Sequence, residues 1–278
     1  MLETQDQLRR ALARVLALDY LGSLVGALAF PLVLLPWLGL LPSAAALSLV
    51  PVGCSLALAL VFPSLRRWRY PLLAMLPLAA VAGVLTAPLG DRIEDRFYGA
   101  RVIERKQSRF QRIVMTRQGA DLRLFLDGDL QFSSLDEYRY HEALVHPAMA
   151  WHPAPRRILL MGAGDGLALR EILRWPDVEN VDVVELDPEV VNLARRHPML
   201  RRLNADSLRD PRVRIHLGDA YAHLRSLPNQ YDVVIADFPD PATLPVARLY
   251  SVGFYGTLRQ RLNPGAVVAT QARPPFRA

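Results

Sequence analysis

Two long uncharged stretches dominate the hydrophobic pattern of the first third of the chain. No charged residue occurs from Tyr20 to Leu65, and none occurs from Tyr70 to Gly90. A helix that crosses a bilayer needs about 20 predominantly apolar residues, so these lengths predict two spans and then a third. A signal peptide has a much shorter apolar run, and soluble proteins rarely contain uncharged stretches of this length. We therefore assign residues 1–90 to two or three transmembrane helices.

The pattern changes twice after the last apolar stretch. Residues 91–108 are rich in charge and are interpreted as a linker. In the segment 109–135, Leu122, Leu124 and Leu126 alternate with other residues, and two glycines mark turns. This alternation is typical of strands with one buried face. It predicts a small antiparallel β-domain.

Short apolar runs alternate with helical patterns from residue 136 to residue 278. The apolar runs read RRILLMG, VDVVELD, VRIHLGD, YDVVIAD and GAVVAT. Continuous runs of this kind are characteristic of parallel strands that are buried on both faces, and their alternation with helices indicates an α/β fold. We predict a doubly wound, mostly parallel sheet in this part of the chain.

The charge and the cysteine content exclude several classes of function. The net charge is +6, and Lys106 is the only lysine. The arginines are scattered, and several flank the apolar stretches, where they would contact lipid headgroups. We therefore predict no nucleic-acid partner. Cys54 is the only cysteine, so the chain has neither an internal disulfide nor a cysteine-based metal site.

Polar residues follow the ends of the predicted parallel strands. Gly162, Gly164 and Gly166 connect the first strand to its helix, and Glu185, Asp219 and Asp237 stand at or just after the ends of the next three. Open α/β sheets bind ligands at the carboxyl edge of their strands. Leu167 stands where a dinucleotide fingerprint has its third glycine. The pattern predicts a nucleoside site rather than a dinucleotide site.

The segment YHEALVH also carries potential metal ligands. His141 and His146 are five residues apart, whereas two histidines that share a metal on one helix face are four apart. We therefore predict no metal site.

Seven motifs in order resemble the spermidine synthase (polyamine aminopropyltransferase) family, in its membrane-anchored bacterial branch. They are FQRIV, LDGDLQFSSLDEYRYHEALVHP, GAGDG, VELD, GDA, DFPDP and LYSVGFY. The resemblance implies transfer of an aminopropyl group from decarboxylated S-adenosylmethionine, the cosubstrate, to putrescine or a related polyamine. It implies a small β-domain joined to a Rossmann-like domain of the methyltransferase type, here residues 136–278. It also implies no metal, and it leaves a homodimer open. It also implies a multi-pass protein of the bacterial inner membrane.

The resemblance assigns a role to each motif residue. Asp237 would accept the proton of the attacking amine, and Asp165 would bind the aminopropyl ammonium. The remaining assignments are Gln111, Glu185, Asp219 and the glycines 162, 164 and 166 for the nucleoside, and Tyr140, His141, Asp240 and Gln271 for the acceptor. Phe238 and Pro239 replace the small hydroxyl residues usual in soluble members, so we expect a narrowed or reshaped diamine pocket.

Two other functions remain open at this point. An S-adenosylmethionine-dependent methyltransferase shares the sheet and the glycine loop, but it typically has an acid where this chain has Leu160. Its cosubstrate also keeps a carboxylate, which Asp165 would repel. The other alternative is a non-catalytic membrane protein that binds polyamine or nucleoside.

Membrane topology and the chain ends carry two further expectations. Arg9, Arg10 and Arg14 favour a cytoplasmic N-terminus, and the arginines at 66, 67 and 69 favour a cytoplasmic second loop. Three complete spans would place the catalytic domain outside, away from its cytosolic donor, so we expect one segment not to cross and the domain to be cytoplasmic. Because both ends of the chain resemble interior parts of the family, we also expect a fragment of a longer protein.

Overall fold

A computed structural model describes residues 2–38, 40–226 and 230–271. The chain divides into two compact units, Met1–Gly99 and Ala100–Ala278. The last seven residues of the predicted Rossmann-like domain lie outside the described residues.

The first unit is helical. Pro31 has no backbone N–H to donate, and the chain forms a five-residue π-helical turn around it, Phe30–Leu34. The α-helices are α1 (Leu2–Ala29), α2 (Leu35–Leu38), α3 (Leu40–Val61) and α4 (Arg69–Tyr98), with a 3₁₀ helix at Pro63–Trp68.

Two segments of this unit are long and apolar enough to cross a membrane. They are Arg9–Leu34 and Pro42–Val61, and most of the described side chains in both are exposed. Both segments overlap the uncharged stretch from Tyr20 to Leu65, and their crossing of a membrane stays a prediction. The third predicted span, 70–90, lies within α4.

The predicted linker differs from the structure. Helix α4 continues to Tyr98 and ends at Gly99, whose left-handed conformation (φ 61°) is a common helix terminator. The strand β1 (Arg101–Gln107) follows directly, and only Val102 in it is buried. It lies at the edge of a sheet, where charged side chains are frequent. The segment between residues 91 and 108 is therefore a helix end and an edge strand, and the β-domain begins earlier than predicted.

The small sheet is antiparallel, as predicted, with the strand order β1-β2-β3-β4. The other strands are β2 (Arg112–Gln118), β3 (Asp121–Leu126) and β4 (Asp129–Ser133). Leu124 pairs with Met115, and the side chains of both are buried. The leucine alternation thus marks the buried face of β3.

The remaining residues form the predicted doubly wound sheet. Its strands are β5 (Arg157–Gly162), β6 (Asn180–Glu185), β7 (Val213–Leu217), β8 (Tyr231–Asp237) and β9 (Leu262–Thr270), and its helices are α5 (Glu137–Trp151), α6 (Leu167–Leu173), α7 (Pro188–Arg196), α8 (Pro198–Leu203), α9 (Ala220–Ser226), α10 (Leu244–Ala247) and α11 (Val252–Arg259). All neighbouring strands pair in parallel, in the order β7-β6-β5-β8-β9. The order reverses between β5 and β8, which is the switch point where such sheets bind ligands.

Both faces of the sheet are covered. Ile158 and Leu160 of β5 belong to one apolar cluster, and Leu159 and Met161 belong to another. Successive side chains of a strand point to opposite faces, so the continuous apolar runs in the sequence correspond to a sheet that is buried on both sides. The polar residues that follow the strands lie at the edge formed by the carboxyl ends of the strands.

Candidate active site

The ends of β5 and β8 meet at the switch point. Gly162 is the register partner of Asp237. Its backbone is left-handed, with φ of 82°, and a Cβ atom there would lie 2.1 Å from the carbonyl oxygen of Asp237. Only glycine satisfies both constraints. Gly162 therefore lets the glycine loop after β5 lie close to the end of β8, where Asp237 stands.

Gly164 and Glu185 form a second close contact at this edge. The N–H of Gly164 donates to Oε2 of Glu185 at 3.0 Å, and the N–H of Asp187 donates to Oε1 at 2.9 Å. Burial raises the pKa of Glu185 to about 7, against the lowering effect of these two hydrogen bonds. A carboxylate so placed can accept hydrogen bonds from ribose hydroxyls.

Gln111 contacts the site through Asp187. Its Nε2 donates to Oδ2 of Asp187 at 3.0 Å, and the hydroxyl of Ser108 donates to the same oxygen at 2.6 Å. The other carboxylate oxygen of Asp187 caps helix α7 by accepting from Glu189 N. The sequence analysis did not single out Asp187, although an aspartate before Pro188 is a typical helix cap.

Asp165 and Asp237 lie close enough to influence one another. Burial raises the pKa of both carboxyls. The charge of Asp165 further raises the pKa of Asp237, whereas the charge of His141 lowers the pKa of both acids. The backbone N–H of Leu167 donates to Oδ1 of Asp165 at 2.9 Å, which fixes that carboxylate at the start of α6. The glycine loop thus brings its acid to the end of β8.

Two side chains of α5 complete this cluster. The hydroxyl of Tyr140 donates to Oδ1 of Asp237, and burial together with the charge of Asp237 raises the pKa of Tyr140. The ring of His141 packs edge-on against Tyr140, with 5.1 Å between centroids. The structure therefore brings together four of the residues assigned by resemblance: Tyr140, His141, Asp165 and Asp237.

Phe238 is buried directly after the end of β8. Its side chain is 6 % exposed and packs against Phe254, with 5.8 Å between ring centroids. The side chain therefore packs into the apolar cluster on one face of the sheet, and the narrowed or reshaped diamine pocket stays a prediction. Pro239 is exposed.

Asp240 lies near a tyrosine that the sequence analysis missed. Burial raises the pKa of Tyr250, and the charge of Asp240 adds to the effect. The hydroxyl of Tyr250 donates to the carbonyl of Pro239 at 3.1 Å. The motif LYSVGFY contains this tyrosine, so its position in the motif was an available signal.

Asp219 and Gln271 lie at the outer parts of the same edge. Asp219 accepts from the N–H of Ala222, at the start of α9, at 2.9 Å and forms an ion pair with Arg248. Nothing in the sequence indicated Arg248, which follows α10. The N–H of Gln271 donates to the carbonyl of Ala236 at 3.1 Å, one residue before Asp237.

A recess of about 340 Å³ opens beside Tyr140 and His141. Strand β4 and the start of α5 form its walls, which include Gln131 and Asp136. Gln131 is a further residue that the sequence analysis did not single out.

His146 belongs to an ion-pair network. Its Nδ1 accepts from the indole N–H of Trp175 at 3.1 Å, so the ring proton is on Nε2, which faces Oε2 of Glu171 at 3.2 Å. Arg170 and Arg174 occupy the two oxygens of Glu171. Glu142 also approaches this group. A cation would have to displace two arginines and a ring proton, so the arrangement supports hydrogen bonding rather than metal binding.

The amino-acid sequence is similar to those of known polyamine aminopropyltransferases. Residues 137–277 match the spermine/spermidine synthase domain. A polyamine aminopropyltransferase of Leptospira interrogans is 39 % identical over 99 % of this chain and 56 % of its own length. Polyamine aminopropyltransferase 1 of Streptomyces coelicolor is 46 % identical over 96 % of this chain and 52 % of its own length. The chain therefore spans about half the length of these relatives.

Solved structures share the fold. A spermidine synthase in complex with the transition-state analogue AdoDATO has a TM-score of 0.59 and 33 % identity, covering 63 % of this chain and 59 % of that one. The spermidine synthase of Thermotoga maritima has a TM-score of 0.55 and 31 % identity, covering 63 % and 57 %. On the sequence match and the shared fold together, the chain belongs to the spermine/spermidine synthase family.

Proposed function

We propose that this chain carries a polyamine aminopropyltransferase site, which transfers the aminopropyl group of decarboxylated S-adenosylmethionine to putrescine or a related polyamine. The products would be spermidine, or the corresponding longer amine, and methylthioadenosine. The observation that carries the proposal is the cluster of Asp165, Asp237, Tyr140 and His141 at the switch point.

The charges of the substrates fit this cluster. The donor has a sulfonium and an ammonium, and a diamine acceptor has two ammonium groups. Removing such cations from water costs many kcal/mol unless anionic partners compensate. Asp165, Asp237 and Asp240 supply that compensation in a chain whose net charge is +6.

In the proposed reaction, Asp237 removes the proton of the attacking amine. The amine nitrogen then attacks the carbon next to the sulfonium, the C–S bond breaks, and its electrons remain on the sulfur of methylthioadenosine. An ordinary aspartate is too weak a base for an amine with a pKa near 10.4. Burial and the charge of Asp165 raise the pKa of Asp237, which brings it closer to the range that general base catalysis requires. The hydroxyl of Tyr140 orients the carboxylate.

Glu185, Gln111 and Asp219 would hold the nucleoside at the neighbouring strand ends, with Glu185 on the ribose and Asp219 near the adenine. The glycine loop at residues 162, 164 and 166 lets the donor approach the backbone. Asp240 and Gln271 would contact the acceptor. Tyr250 and Gln131 extend the acceptor side of the site.

Product analysis tests the reaction. Purified protein is incubated with putrescine and either decarboxylated S-adenosylmethionine or S-adenosylmethionine, and products are identified by mass spectrometry. We expect spermidine and methylthioadenosine from the decarboxylated donor only. A methylated product would identify a methyltransferase, and binding without any product would identify a binding protein.

We also propose that the helical unit anchors the protein in the bacterial inner membrane as a multi-pass segment, with the catalytic domain in the cytoplasm. The two apolar segments and the arginines at 66, 67 and 69 support this arrangement. A tag after Ala278 should be digested by protease in inverted vesicles and protected in right-side-out ones. Protection in inverted vesicles would refute the orientation, and release of the protein from membranes by alkaline carbonate would refute the anchor.

A further inference from the structure

His141 is held by an acid from its own helix. It is 3 % exposed, and its Nδ1 lies 2.8 Å from Oε2 of Glu137 and 2.7 Å from the carbonyl oxygen of the same residue. A carbonyl oxygen can only accept a hydrogen bond, so Nδ1 carries a hydrogen. The ring is therefore a positively charged imidazolium when Nε2 also carries a hydrogen, and a neutral imidazole when it does not.

Glu137 is itself fixed from outside the proposed active site. Arg170 donates to both of its carboxylate oxygens, at 2.9 and 3.1 Å. Arg170 also donates to the carbonyl of Leu203 at 2.7 Å and to Glu171 at 2.8 Å. A bidentate pair of this kind fixes position as well as charge. The location of His141 is thus set by a frame built on α6.

Several charged groups face His141 from the elements packed around it. Glu137 and Tyr140 come from α5, Asp165 from the loop before α6, and Asp237 from the end of β8, while Arg170 lies behind Glu137. Burial lowers the pKa of His141, but the hydrogen bond with Glu137 and the charges of Asp165 and Asp237 raise it overall. These acids thus favour the imidazolium form of His141.

We propose that protonated His141 supplies the positive charge opposite Asp165 and Asp237 in the ligand-free site. When the cationic donor binds, the charge of the donor replaces that of the imidazolium, and His141 releases its proton to solvent. The imidazolium becomes imidazole plus a free proton, and no bond of the substrate changes in this step. Glu137, held by Arg170, is the positioning residue. This inference rests on the proposed function, and it adds a proton release that is coupled to donor binding.

The exchange has a consequence for recognition. With its proton lost, Nε2 presents a lone pair, and it can accept a hydrogen bond from the incoming ammonium. A neutral ligand without the aminopropyl group provides no charge to replace the imidazolium. The site would therefore distinguish decarboxylated S-adenosylmethionine from methylthioadenosine through the proton state of His141.

Histidine-selective NMR tests the proposal on the full chain in detergent. The chain has six histidines, and the signal of His141 in protein labelled with ¹³C-histidine is assigned by its loss in His141→Gln. The pH titration of that signal is followed without ligand, with decarboxylated S-adenosylmethionine and with methylthioadenosine. We expect the cationic donor to lower the proton affinity of His141 about tenfold or more, the usual effect of a close charge, and the neutral nucleoside to change it little.

Variants separate positioning from a general effect on folding. Glu137→Gln should lower the proton affinity of His141 in the ligand-free protein, and Glu137→Asp should restore part of it. Glu142→Gln, on the same helix and outside the proposed site, is the matched control and should leave the titration unchanged. If the glutamine variant does not fold, the comparison of the two ligands on the unmodified protein still decides.

Product formation in the same samples distinguishes the two failures. Turnover with a His141 titration that the donor does not change would overturn this inference and leave the proposed function standing. Absence of both donor binding and product would overturn the proposed function, and this inference with it.

Discussion

Asp237→Asn is expected to reduce turnover by about 10²–10⁴-fold, the usual contribution of general base catalysis, while donor binding is nearly unchanged. The asparagine keeps the shape of the side chain, and its amide can still accept from the hydroxyl of Tyr140, but it cannot take a proton from the amine. Raising the pH should partly restore turnover, because more of the amine then arrives unprotonated. The measurement is kcat and KM for the acceptor across pH.

Replacement of Asp240 is expected to affect the reaction differently from replacement of Asp237. Asp240 influences Tyr250 rather than Tyr140, so Asp240→Asn should act mainly through the apparent affinity for the acceptor and respond less to pH. Asp177→Asn, in an exposed turn before β6, is the control and should leave both parameters unchanged. Identical responses of the Asp237 and Asp240 variants would show that the two acids titrate as one coupled pair.

The parallel sheet was predictable because its strands are buried on both faces. Val233, Val234 and Ile235 in β8 are completely buried, so the sequence there is a continuous apolar run. The alternation in β3 was equally readable, since Leu122 and Leu124 on one face of that strand are buried in the core. In both cases the hydrophobic pattern reflects burial, which is the dominant favourable contribution to folding.

Strand β1 was not predictable from the same pattern. Glu104, Arg105 and Lys106 lie in it, and its charge density is that of a linker. An edge strand gains its hydrogen bonds from a single neighbour and tolerates charged side chains on its exposed faces. Its pairing with β2 is made by backbone hydrogen bonds, which the hydrophobic pattern of the sequence does not indicate.

Some residues of the candidate site were predictable from the sequence, and others were not. Strand-end acids such as Glu185 and Asp237 were predictable, because parallel strands bring their carboxyl ends to one edge. The partners of these acids were not. Contacts such as those of Gln111 with Asp187 and of Arg170 with Glu137 join residues that are far apart in the chain. The inward orientation of Phe238 similarly depends on Phe254, in another helix.

Donor binding should depend strongly on the contact between Gly164 and Glu185. Glu185→Gln is expected to weaken donor affinity by about 1–3 kcal/mol at pH 8, the range for hydrogen bonds to a charged group. Gly164→Ala should weaken it at least as much, because the added Cβ would lie 2.7, 2.8 and 2.9 Å from three side-chain atoms of Glu185 and would displace the carboxylate. Calorimetric titration with decarboxylated S-adenosylmethionine measures both effects.

The pH dependence of the Glu185 variant gives this prediction its sharpest form. Burial raises the pKa of Glu185 to about 7, so the carboxylate is mostly ionised at pH 8 and mostly protonated at pH 6. A protonated carboxyl resembles glutamine, and the ratio of donor affinities between the unmodified protein and Glu185→Gln should therefore shrink as the pH falls from 8 to 6. Other titrating acids are present in both proteins and cancel in the ratio. Gly256→Ala, in α11 with nothing within 4 Å of the added Cβ, controls for glycine replacement. A ratio that is constant across this range would mean that the charge of Glu185 does not contribute to donor binding.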